Sequence, residues 1–156
     1  MKRFRWNFII EPTGGLYRSL LEHAFPACDS VLLVVRRSQP LNESGRCLLS
    51  RLDAFLMRET ERSEWPGTKL LDRTAQVFEF RFTPRSALVL KQAVDSLFAW
   101  RQPNFPEDLC LLRQDSTPWL VSISHEQDGF LNLASNEAVD LFRSWPDIRT
   151  MIKREH

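Results

Sequence analysis

Cysteine is sparse in this chain: Cys28, Cys47 and Cys110 form an odd, widely spaced set with no CxxC pair. Neither a disulfide framework nor a cysteine-based zinc site suits that arrangement, and three small buried thiols in a reducing cytosol are expected instead. Glycine is equally scarce, with 5 in 156 residues. Its one adjacent pair, Gly14-Gly15, fits neither GxGxxG nor GxxxxGK[ST], so it reads as an ordinary strand-to-helix turn and not as a phosphate loop. Long apolar runs are missing too. The longest, Val31 to Val35, falls far short of the roughly 20 residues that span a bilayer. The N-terminal apolar stretch is interrupted by Arg5 and Asn7 and broken by Pro12, which argues against a signal peptide. Finally, there is no charge excess: 21 Lys and Arg face 20 Asp and Glu, for a formal charge of +1. Without a global field, nucleic acid and anionic lipid are poor partners. A soluble cytoplasmic protein without membrane partner or cofactor is expected.

What is present is an ordinary globular composition, 43% hydrophobic and 26% charged, on a length that suits one domain over residues 1–156. Phe4, Trp6, Phe8 and Ile10 alternate with polar residues and predict a strand. Leu16, Leu20, Leu21 and Phe25 predict a short helix that Pro26 stops, with His23 beside Glu22 as a solvated surface pair. Val31 to Val35 suits a central strand covered on both faces. The spacing of Leu48, Leu52, Phe55 and Leu56 predicts a helix over 45–62 with an arginine-rich outer face. Phe78, Phe80 and Phe82 mark an alternating strand. Thr83-Pro84 then makes a strong helix start, and the apolar stripe carries that helix to about Trp100. Three short strands follow over 109–113, 118–124 and 130–134, and their tight turns make them antiparallel neighbours. A last helix starts near Ser135, with residues 149–156 as a frayed or helical tail. The order is β-α-β-α-β-α-β-β-β-α, an α+β fold with a mixed sheet ending in an antiparallel meander.

The meander gathers the candidate functional residues. Glu107 and Asp108 precede its first strand, Trp119 sits beside Pro118, and His125, Glu126 and Asp128 lie in its second turn. At strand ends these residues would form an acidic, aromatic rim suited to a protein partner. Trp65 and Trp145, also beside prolines near element ends, are further candidate anchors, whereas Trp6 and Trp100 read as core. A serine hydrolase would need a nucleophile elbow such as GxSxG near Ser122, Ser124 and His125, and none is present. A metal held by His125, Glu126, Asp128 and Glu107 or Asp108 has the right donor types but no defining spacing. Cys110 lies inside LCLL, where burial leaves a thiol inert.

The segments PEDLCLLR, PWLVSISHEQDGFLNL and SNEAVDLF resemble the C-terminal part of small bacterial proteins of the immunity type, which accompany polymorphic or contact-dependent toxins. The resemblance implies a cytosolic, non-enzymatic protein that binds and neutralises one toxin domain. Two other readings stay open from the residues themselves. One is a small enzyme using His125 and Glu126, and the other a nucleic-acid module using the arginines of 45–62. A homodimer through an uncovered sheet edge is a further option.

Overall fold

The computed structural model describes residues 1–156. Strand β1 (Arg3–Phe8) leads through a turn at Gly14 into helix α1 (Gly15–Ala24), and strand β2 (Ser30–Arg36) follows. Gly14 has φ of 54°, a left-handed value that glycine adopts without a Cβ penalty. After helix α2 (Glu43–Leu52) come strands β3 (Leu56–Arg62), β4 (Glu64–Trp65), β5 (Thr68–Lys69) and β6 (Ala75–Arg81). Helix α3 (Pro84–Ala93) precedes the meander β7 (Glu107–Leu112), β8 (Pro118–Ile123) and β9 (Asp128–Ala134). Helix α4 (Ser135–Ser144) and a short strand β10 (Ile152–Arg154) complete a single α+β domain.

The main sheet has eight strands in the order β10-β1-β9-β8-β7-β2-β6-β3. A mixed sheet was expected from the alternating strands and helices, but each of its pairings is antiparallel. The reason lies in the strand order: the meander inserts between β1 and β2, so the crossover through α1 joins strands that never become neighbours. The helices cover one face over a core that includes Leu20, Leu33, Leu90, Trp100 and Leu131. On the other face, the β4–β5 hairpin closes a smaller core of Leu32, Val34, Trp65, Val77, Cys110 and Val121. Strand β2 is therefore apolar throughout its centre because both of its faces are buried. In the larger core, Trp100 Nε1 donates to Tyr17 Oη at 3.1 Å and the Tyr17 hydroxyl donates to Leu90 O at 2.7 Å. Both buried polar groups are thus satisfied.

Three expected elements end differently. The helix over 45–62 stops at Leu52, a single 3-10 turn covers Asp53–Phe55, and residues Leu56–Arg62 form the exposed edge strand β3. The apolar spacing that suggested one helix runs across this boundary, and β3 lacks alternation because it is exposed on both faces. This change also splits the arginine-rich face: Arg46 and Arg51 stay on α2, while Arg58 and Arg62 go to β3. The α3 helix ends at Ala93, where Val94 turns extended with φ of −139°. The C-terminal tail is a strand, since β10 pairs with β1 and completes the sheet at that edge. At the start of α3, Thr83 and Ser86 exchange the side-chain to backbone bonds of a capping box, as the Thr83-Pro84 start implies.

Candidate functional site

Strand β7 departs from regular pairing where the chemistry is richest. Its register against β2 shifts between Leu32 and Val34, so Asp108 and Leu109 face Leu33 across a bulge. Asp108 takes a left-handed φ of 57°, a conformation that Asp tolerates better than most residues but at a cost of roughly 1–2 kcal/mol. A bulge re-aims a side chain. Here the Asp108 carboxylate turns inward and is wholly buried.

Burial of a carboxylate requires donors. Asp108 Oδ2 accepts from Trp65 Nε1 at 3.0 Å and from Arg36 Nη2 at 3.3 Å, while Oδ1 accepts from the Ser124 amide at 3.0 Å. Arg36, at the end of β2, also brings Nε to 2.7 Å from Glu107 Oε2. Neither atom meets hydrogen-bond alignment, so this contact is an ion pair held by charge and not by a directed bond. The guanidinium carbon lies 5.3 Å from the Trp65 ring. Gln102 fixes the strand end from the other side: its Oε1 accepts from the Arg36 amide at 2.6 Å and its Nε2 donates to Arg36 O at 3.0 Å. One guanidinium thus serves two buried carboxylates, and neutral donors from Trp65 and Ser124 complete the shell.

His125 lies just outside this network. Arg36 Nη2 is 3.4 Å from His125 Nδ1, a contact to which the guanidinium brings only donors. Nε2 is 3.9 Å from Glu126 Oε1. Glu107, Asp108 and His125 each place one donor atom within 4.8 Å of the others, a grouping whose chemistry could take a divalent cation. The Arg36 guanidinium already occupies that role, lying against all three side chains.

The expected rim therefore divides. Glu107 and Asp108 are buried partners of Arg36 and form no acidic surface patch. Trp119 is only 2% exposed and belongs to the core beneath the helices. A register shift between β7 and β8 beside it accounts for a side chain that the neighbouring proline made look exposed. Trp65 and Trp145 are buried as well, and the His23 ring stacks on Trp145 at 4.7 Å instead of pairing with Glu22. What remains outside is the turn itself. A 3-10 turn over Ser124–Glu126 and a left-handed Gln127, φ 52°, expose His125 and Glu126. Asp128 is partly neutralised by Arg5, whose Nη2 is 3.4 Å away, and the Arg5 guanidinium covers the Phe130 ring at 3.9 Å.

No family model, curated protein or solved structure matches the chain. No helix is long and apolar enough to cross a membrane. The serines beside His125 are not free for nucleophilic work, since Ser122 Oγ donates to Leu109 O at 2.7 Å and Ser124 is fully buried. Burial pushes the Cys110 thiol up to about 12. Cys28 is raised by the same cause, and only Cys47 is exposed, against the expectation that all three would be buried. Arg36 and Gln102 are the site residues that sequence reasoning missed, and Trp65, expected as a partner anchor, is instead a buried donor to Asp108. Their one local signal is an arginine ending an otherwise apolar strand.

Proposed function

We propose that this chain is a protein-binding module that presents the turn of His125, Glu126 and Asp128, and that its specific form is an immunity-type protein occupying a toxin domain. The observation carrying this reading is Asp108: a buried carboxylate on left-handed backbone that holds the amide at the start of the exposed turn. Buried ionic networks stabilise a fold less well than apolar packing of similar volume, and retaining one can serve conformational specificity. A turn fixed before contact loses less entropy on binding. Its exposed side chains, one imidazole and two carboxylates beside Arg5, suit a polar contact with a basic partner surface.

The test is native affinity capture with the wild-type chain, the His125→Ala/Glu126→Ala variant and a distant surface control, Glu43→Ala. Both changed rim side chains are solvent-exposed, so the fold should persist with stability altered by no more than about 0.5 kcal/mol. A protein retained by wild type and by Glu43→Ala but lost from the rim variant supports the reading. Equal retention by all three, or unfolding of the rim variant, contradicts it.

A further inference from the structure

A second polar site lies where the end of β2 meets the segment between β5 and β6. Arg36, Arg37, Ser38, Leu70, Arg73 and Thr74 line a cavity of about 240 Å³, with no carboxylate among them. Arg36 is held by Glu107 and Asp108. Arg37 is paired with Glu61, and Thr74 Oγ1 donates to the same Glu61 carboxylate at 2.9 Å. Arg73 has neither ion pair nor side-chain hydrogen bond. The cavity thus holds one guanidinium without an acid, and two neighbouring donors engaged by a single solvent-exposed carboxylate.

We infer that this cavity binds the phosphate group of a small phosphate monoester. Glu61 shows the kind of contact these groups make, since a carboxylate oxygen is met there by a guanidinium and a hydroxyl together. A planar carboxylate accepts mainly in one plane, whereas a tetrahedral dianion offers three terminal oxygens to donors arriving from several directions. Arg37, Arg73, Ser38 and Thr74 supply that spread, and arginine forks are well matched to phosphate. The volume admits the phosphate and a few further atoms but not a drug-sized molecule, whose pockets start near roughly 300 Å³. The cavity shares only Arg36 with the buried network behind the exposed turn and requires no protein partner.

The experiment is isothermal titration of the full chain with glycerol 2-phosphate in low-salt buffer, with acetate as the planar comparator. Saturable binding is expected, with acetate weaker. Arg73→Ala, a change at an exposed loop position that leaves every ion pair of the fold in place, should lower affinity at least about tenfold, the scale of one charge-assisted contact. Glu61→Gln should tighten binding by removing the competing carboxylate. The inference is overturned by an absence of saturable heat up to about 20 mM ligand, well beyond a millimolar dissociation constant. It is equally overturned by an Arg73→Ala variant that binds like wild type, by a Glu61→Gln variant that binds more weakly, or by acetate binding as tightly as the monoester.

Discussion

Replacing Arg36 by methionine keeps most of the stem volume and removes the one cation facing two buried acids. Glu107 and Asp108 have side chains only 10% and 0% exposed, and Arg36 itself is 17% exposed, so water cannot take over the missing charge. Breaking a buried pair by removing one partner typically costs about 3–5 kcal/mol. Stabilities of single domains are about 5–15 kcal/mol, so the variant should remain folded but much weakened. For a chain of this size each kcal/mol moves Tm by roughly 2–4 °C, giving a drop of about 6–20 °C. Urea denaturation followed by circular dichroism is the assay, with a lowered midpoint and an unchanged slope expected. The triple variant Arg36→Met/Glu107→Gln/Asp108→Asn separates charge from volume, because it leaves no orphaned anion and should regain at least half of the loss. Arg37→Met, at a side chain 64% exposed, should change stability by no more than about 0.5 kcal/mol. A loss below about 1 kcal/mol for Arg36→Met, or a triple variant no better than the single, would refute the electrostatic reasoning.

Trp119→Ala should cost about 3–5 kcal/mol as a core truncation, measured by the same denaturation, whereas an exposed anchor would lose binding with its fold intact. Under native conditions at pH 8 a thiol reagent should modify Cys47 alone, with all three cysteines reacting in denaturant; a second fast native thiol would contradict the burial of Cys28 and Cys110. Alkaline pH should destabilise the fold. Burial raises the folded thiol of Cys110 from 9.0 to about 12, and Cys28 and Tyr17 are also raised by burial. Unfolding therefore releases protons above pH 9, and stability should fall as pH rises from about 9 toward 12, read as a steadily falling Tm.

Much of the fold was legible because local signals agreed with the global packing. The strands of the meander alternate or run apolar between turn residues, and Thr83-Pro84 announces a helix start that the structure caps as expected. The difference at Leu56–Arg62 has a physical cause: an edge strand exposed on both faces needs no apolar alternation, so the helical spacing upstream runs on into it with nothing to contradict it. Ile152–Arg154 was missed because three residues are too few to show a period, and the strand exists through pairing with β1. The candidate site was half legible. His125 and Glu126 sit in a turn that short-range chemistry identifies, whereas the Arg36–Asp108 contact joins residues 72 apart. Only the bulge, a tertiary feature, carries Asp108 from a strand margin into the interior.

Hydrogen exchange of the Ser124 amide tests most directly whether the buried network holds the exposed turn. That amide donates to Asp108 Oδ1 at 3.0 Å and is buried. It should exchange slowly in the wild-type chain. In Asp108→Asn, which tolerates left-handed backbone, the one remaining oxygen is drawn to the two donors Arg36 and Trp65 and the NH2 group faces the Ser124 amide. That amide should then exchange at least about tenfold faster than the global loss of stability explains, while the amides of Leu120 and Leu131 report only that global loss. Protection of Ser124 that merely follows Leu120 and Leu131 would contradict that role of the network, leaving Asp108 as part of the core and the turn independent of it.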